Sequence, residues 1–216
     1  MKPIINDFEI FYLWGLPIAK FKISPTDFDK KSIVEQIEKN YKLQSRRKSN
    51  LKNNYGTDIH QSLYDNSNTL EEPKYESLKK PYSLIIQKYI KTFNVKENLN
   101  FEFSILNYTA SNEKSYLAPH CHEDSDFAMT HYIKFDKTND PTTFVNPYVF
   151  NDFWIRQNKL SFSVSNNIQN SWVFDTWTFN TEEDDILIFP AILKHFANLR
   201  KSNNIRITLA SNVKIL

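Results

Sequence analysis

Phe101-Glu102-Phe103-Ser104-Ile105-Leu106 is the stretch on which the fold turns. Phe101, Phe103 and Ile105 alternate with Glu102, Ser104 and Leu106, a period of two that belongs to a β-strand. From there onward the same pattern returns in short runs, near 127–135, 142–149, 160–165, 172–179, 185–189 and 204–214. Asn, Asp, Pro or Ser separates the runs. Upstream the spacing differs. Ile33, Val34, Ile37 and Tyr41 fall at helical intervals within Ser32–Tyr41. A second helix is expected over Tyr82–Phe93, with Leu84, Ile85, Tyr89 and Ile90 on its apolar face and Pro81 in its first turn. Residues 8–23, which include Pro17, read as an edge strand. Helices followed by a series of short strands define a mainly β (α+β) class, a helix-supported antiparallel barrel or sandwich.

Composition agrees with that class. Rings make up 15% of the chain, a density that suits a barrel interior. Only Gly15 and Gly56 are glycines, so the turns must use other residues. Asn and Asp visit the left-handed region most readily among the rest, and Asn139-Asp140, Asn166-Asn167, Asp184-Asp185 and Asn203-Asn204 are the expected turn markers. At 216 residues we expect one domain, with 1–99 supplying an N-terminal strand and supporting helices and 100–216 the β core.

Several partner classes lose support. A formal charge of +2 gives no ground for a nucleic-acid or membrane partner. Arg46, Arg47 and Lys48 fall in a polar segment over 42–57 that reads as a solvated loop. No apolar run approaches the ~18 residues of a membrane span, and the first residues lack a signal-peptide core. The lone Cys121 excludes an internal disulfide framework and suits a reducing, cytoplasmic home.

The candidate chemistry lies in the second half. Pro119-His120-Cys121-His122-Glu123-Asp124 places two imidazoles two residues apart, which on a strand share a face. Asp124 offers a carboxylate two residues further on, and His195 follows the apolar run Ile186–Pro190. Two histidines and a carboxylate with open positions suit non-haem Fe(II), although neutral imidazole also suits Zn, Cu and Ni. Arg206 comes eleven residues after His195, on a strand where Thr208 shares its face and Ile205, Ile207 and Leu209 take the other. Its planar fork matches a carboxylate.

These residues resemble the 2-oxoglutarate/Fe(II)-dependent oxygenases, in particular a small branch found in bacteria and their viruses. The matching blocks are His120-Cys-His-Glu-Asp-Ser125, Met129-Thr-His-Tyr-Ile-Lys-Phe135, Phe144-Val-Asn-Pro147, Asp184-Asp-Ile-Leu-Ile-Phe-Pro through His195, and Arg206-Ile-Thr208 through Asn212. The resemblance covers Tyr116 to Asn212; Asp184 stands where the family has Gly, which needs a left-handed turn there. It implies a double-stranded β-helix, a jelly-roll barrel with Fe(II) at its mouth and 2-oxoglutarate and O2 as co-substrates of a hydroxylase. His120 and His195 carry over as ligands. The third is His122 first and Asp124 second. Tyr132 matches a position where related hydroxylases turn a tyrosine hydroxyl to the 2-oxoglutarate carboxylate, with barrel packing as the plainer reading.

His131, next to Tyr132, faces away from it and reads as structural, and His60 has no partner by spacing. Cys121 is expected to point away from the two imidazoles. Residues 148–171, with Phe150, Phe153 and Trp154, are either a lid or a padding hairpin. Two other classes compete: a cupin-like metalloprotein that does not use 2-oxoglutarate, and a barrel without turnover that serves as a binding module. The first, with His120, His122 and Asp126, would not require Arg206.

Overall fold

A computed structural model describes residues 5–44, 59–62, 70–95, 99–113, 115–148, 165–199 and 203–216. The chain opens with a hairpin of β1 (Ile5–Leu13) and β2 (Leu16–Ile23), not a single edge strand. Its two-residue turn has positive φ at both positions, 53° at Trp14 and 79° at Gly15. That geometry matches the twist of the flanking strands. Trp14 is held there because its Nε1 donates to the Ser171 carbonyl at 2.7 Å. Pro17 sits in β2 opposite Tyr12, next to the turn.

Helix α1 (Lys30–Gln44) buries Ile33, Ile37 and Tyr41, as their spacing predicts. The Asp29 carboxylate accepts from the Ser32 N–H at 3.2 Å and caps the first turn. Helix α2 (Glu76–Lys91) starts a turn and a half before the expected place, so Pro81 lies inside it. Leu78 and Pro81 extend the buried face, which continues through Tyr82, Ile85, Ile86, Tyr89 and Ile90. Leu84 is on the exposed side, contrary to expectation, and Ile86 takes its place in the core. Neither helix is long and apolar enough to cross a membrane, nor is any other among the described residues.

The remaining strands are β3 (Ile59–Gln61), β4 (Phe101–Ser111), β5 (Leu117–His120), β6 (Phe127–Lys134), β7 (Thr142–Val145), β8 (Thr176–Thr178), β9 (Asp185–Pro190), β10 (His195–Ala197) and β11 (Arg206–Ile215). They form two antiparallel sheets, ordered β1-β2-β9-β6-β11-β4-β3 and β5-β10-β7-β8. Period-two alternation divides the side chains between two cores. Met129, Ile133, Ile186, Ile188, Ile207 and Leu209 join the core that includes residues of both helices. Ala128, Tyr132, Leu187 and Phe189 face the other way, with Phe144 of the small sheet. Strands β6 and β9 are thus buried on both faces, which explains why Asp185–Pro190 reads as a continuous apolar run.

Among the expected turn markers, Asp184 is left-handed at φ 67°, where the resemblance required it. Its carboxylate pairs with Lys30 at 2.8 Å, which connects that turn to α1. Most of the expected 42–57 loop, with Arg46, Arg47 and Lys48, lies outside the described residues. So does 149–164, with Phe150, Phe153 and Trp154, most of the 160–165 strand, and the side chain of His60. The described end of that long segment is a 3-10 helix, Ile168–Val173.

Candidate metal centre

His120 ends β5 and His195 begins β10, and the two are direct cross-strand partners. Sheet pairing therefore brings residues far apart in sequence side by side, with ring centroids 4.4 Å apart. His122 reaches them differently. The chain has already left the strand, and the His122 N–H donates to the Ala191 carbonyl at 2.9 Å. Its ring stacks on His195 at 5.2 Å with an interplanar angle of 8°. The shared-face argument for a His-x-His strand is thereby corrected: a loop tie places His122, since alternation stops at His120. Cys121 also borders the cavity, with its thiol 4.0 Å from the carboxylate of exposed Glu123.

One nitrogen from each of His120, His122 and His195 lies within 4.8 Å of the other two, a group that could hold a metal ion. Orientation comes from the backbone for two of them. His120 Nδ1 is 2.8 Å from the Ala118 carbonyl and His195 Nδ1 is 3.0 Å from the Leu193 carbonyl. A carbonyl only accepts, so both Nδ1 atoms carry the proton and both Nε2 lone pairs are free. The Nε2 atoms of His122 and His195 stand 3.4 Å apart. Burial, then the His120 charge, pushes His195 down to about 3; burial, then His120, takes His122 to about 4, with Asn212 opposing the shift. Near neutral pH both are uncharged, the form that ligates metal.

The other expected residues divide. Asp124 is exposed and outside the converging group. Asp126 is spent elsewhere, accepting from the Ile215 N–H at 2.7 Å. His131 is structural, as read: it is buried, 2.9 Å from the Tyr82 hydroxyl and 3.8 Å from the Asp184 carboxylate, and burial lowers its pKa. Tyr132 is fully buried behind the cavity, where its hydroxyl accepts from the Thr142 N–H at 3.0 Å.

Arg206 and Thr208 face the cavity, and the intervening Ile207 joins the opposite core. The guanidinium is 5% exposed and sits 5.6 Å from the Tyr132 ring and 5.9 Å from the Phe135 ring. Its Nε has no hydrogen-bond partner, and among the described residues no carboxylate pairs with it. Burial pulls its pKa down, opposed by Tyr132 and then Asp140. A buried cation without a partner is costly, and an incoming carboxylate would relieve it. Three imidazoles and this guanidinium line one cavity of about 230 Å³. That donor set fits a divalent transition metal together with an anionic ligand.

Two interior residues were not singled out from sequence. Asn212 continues the Arg206, Thr208, Ala210 alternation and was findable from that period. Ser111 on β4 lines the cavity opposite Arg206 in register, a cross-strand relation that spacing does not reveal.

Fold and site together define a β-sheet protein with three imidazoles that could hold a metal ion beside a buried guanidinium. Residues 107–212 match a family model described as "Putative 2OG-Fe(II) oxygenase". That stretch is just under half of the chain, and Fe(II) and 2-oxoglutarate are the family's metal and co-substrate. Among solved structures it resembles a Pseudomonas putida prolyl-4-hydroxylase at 8% identity and TM-score 0.50, covering 96% of this chain and 91% of that one. A viral collagen prolyl hydroxylase from Paramecium Bursaria Chlorella virus-1 matches at 11% identity and TM-score 0.48, over 96% of each chain. A 2OG-Fe(II) oxygenase family oxidoreductase from Burkholderia pseudomallei matches at 11% identity and TM-score 0.41, over 64% of this chain and 56% of that one. At such identities the first likeness bears on fold alone, and the fold is the double-stranded β-helix of the 2OG oxygenases. No curated protein matches the chain.

Proposed function

We propose that the chain is one oxygenase domain in which His120, His122 and His195 hold Fe(II), while Arg206 and Thr208 bind the far carboxylate of 2-oxoglutarate. The observation that carries this reading is the buried Arg206, which has no carboxylate partner among the described residues and faces the same cavity as the three imidazoles. A cupin-like metal site without 2-oxoglutarate would leave that guanidinium without a purpose. When bound, Fe(II) and 2-oxoglutarate supply the oxidising chemistry: O2 and the keto acid are consumed, succinate and CO2 leave, and a substrate C–H becomes C–OH.

The chain's own residues orient and shield. The Ala118 and Leu193 carbonyls hold two imidazoles in the metal-ready tautomer. Arg206 fixes the keto acid's tail with a planar fork, and Thr208 adds a hydroxyl from the same strand face. Tyr132 acts from behind, its ring against the guanidinium and its hydroxyl on Thr142. Asp124 would have to leave its exposed position to ligate, so His122 takes the third place. Phe144 and Phe189 pack on His195 and keep water from that side. The single cysteine supports a cytoplasmic, reducing setting.

Anaerobic addition of Fe(II) and then 2-oxoglutarate tests the reading. The expected result is a visible charge-transfer band that needs both, followed by succinate release on admitting air. A protein that binds Fe(II) but gives no band and no succinate would return the site to the cupin-like class.

A further inference from the structure

Resting on the oxygenase reading above, we propose that Gln61 is a substrate-binding residue: its side-chain oxygen accepts a hydrogen bond from an uncharged N–H or O–H group of the prime substrate.

Sheet register sets the place of this side chain. Strand β3 is one edge of the large sheet, and Gln61 pairs with Thr109 of β4, which pairs in turn with Thr208 of β11. Side chains directly opposite one another share a face, and all three line the cavity that holds the imidazoles and Arg206. Two strand spacings, about 10 Å in all, separate Gln61 from Thr208. Gln61 thus stands beside the grip assigned to the co-substrate, on the outermost strand.

The carboxamide is half satisfied. Its Nε2 donates to Thr109 Oγ1 at 3.3 Å, which fixes the direction of the group. Its Oε1 is buried and has no hydrogen-bond partner among the described residues. A buried acceptor left unmade is unfavourable, so a ligand that brings a donor gains from it. The co-substrate has none to bring. At neutral pH 2-oxoglutarate is two carboxylates and a ketone, and neither it nor O2, succinate or CO2 carries an N–H or O–H. Apart from water, the donor must come from the prime substrate.

Charge narrows the class further. Among the described residues no Asp or Glu lines the cavity, whereas the amides of Asn107 and Asn198 and the hydroxyls of Ser111 and Thr130 do. An ammonium group would enter beside Arg206 with no carboxylate to balance it. A carboxamide or an alcohol needs no counter-charge and suits a neutral, hydrogen-bonding wall.

The test uses the full isotope-labelled chain, saturated with Zn(II) and 2-oxoglutarate, with the Gln61 side-chain NH2 signals followed by NMR. The probes are N-methylacetamide (an amide N–H), n-propanol (an O–H), N,N-dimethylacetamide (no donor) and n-propylammonium (a cation). At least one of the two neutral donors should move the Gln61 signals saturably, and the tighter of them assigns the group as amide or alcohol. The donor-free amide and the cation should bind about 3- to 10-fold more weakly than that donor. Gln61→Met, similar in length but without the acceptor, should weaken the preferred donor by the same factor. Gln61→Glu keeps acceptors alone, so it should retain the neutral donor and now take up n-propylammonium, a gain that a merely structural Gln61 would not give. Should the Met variant fail to fold, the wild-type ranking of donors above N,N-dimethylacetamide decides. Gln61 signals that ignore every probe, or N,N-dimethylacetamide binding as tightly as the donors, overturn the proposal and leave water as the partner of Oε1. A wild type that takes up neither Zn(II) nor 2-oxoglutarate removes the oxygenase reading and this inference with it, a different result from a loaded protein that ignores the probes.

Discussion

Arg206→Met should separate stability from binding with opposite signs. Arg206 is a buried cation without an ion-pair partner among the described residues. Replacing buried ionic groups with apolar ones of similar volume is often neutral or stabilising by about 1–4 kcal/mol. Against this stands the loss of ring contacts with Tyr132 and Phe135, worth about 0.5–2 kcal/mol together. The balance is a thermal midpoint that holds or rises by several degrees, at ~2–4 °C per kcal/mol for a chain of this size. The 2-oxoglutarate affinity moves the other way. Leaving the carboxylate unpaired in the cavity costs about 3–5 kcal/mol, or roughly 10²- to 4 × 10³-fold in Kd. Metal affinity should stay, because Arg206 is not among the converging nitrogens. Differential scanning of the apo protein, with Zn(II) and 2-oxoglutarate titrations, reads all three quantities. A variant that loses more than about 2 kcal/mol while still binding 2-oxoglutarate normally would show Arg206 to be a structural cation and refute the clamp.

Other outcomes follow from single features. Ala210→Leu should fill the space between Thr208 and Asn212, lowering 2-oxoglutarate affinity at least ~10-fold while Zn(II) binding, measured by the same titration, persists. In chelator-treated protein His122 and His195 have folded pKa values of about 4 and 3 against 6.5 for the free side chain. The unfolded chain therefore takes up protons first, and stability should fall as pH drops below about 6.5 and level off near 3. Urea midpoints across that window check the sign, and His195→Phe should flatten the slope. Gly15→Ala should cost about 1 kcal/mol, seen as a lower thermal midpoint with unchanged metal binding: a Cβ there meets nothing within 4 Å, so the cost is the positive φ of 79° alone.

What the sequence made legible was governed by local periodicity. Alternation on β11 was enough to turn Arg206 and Thr208 the same way, because a strand has no other option. Ile186–Pro190 read correctly for a related reason, since burial on both faces leaves no alternation of polar positions there. The hairpin was hidden because its turn is Trp14-Gly15, without the Asn-Gly or Asp-Gly signal, and because Pro17 suggested an edge. Strand β10 has only three residues, too few for any period to show. The start of α2 was misplaced because a proline usually opens a helix, yet Leu78 buried a turn earlier outweighs that preference.

The metal centre shows where local reading must stop. Spacing brought His120 and His122 together for a reason that does not hold, since the strand ends between them, and the pair meets only because Ala191 captures the loop. The choice between His122 and Asp124 could not come from the His-x-His-x-Asp string, in which either side chain is near enough. It depends on what stands opposite. An imidazole there has a neighbouring ring to stack on, while a carboxylate drawn there would give up its solvation. A third imidazole in place of a carboxylate also leaves the bound ion one positive charge richer. The same cavity then offers that ion and a lone guanidinium to its ligand, and both favour a dianion that can bridge them.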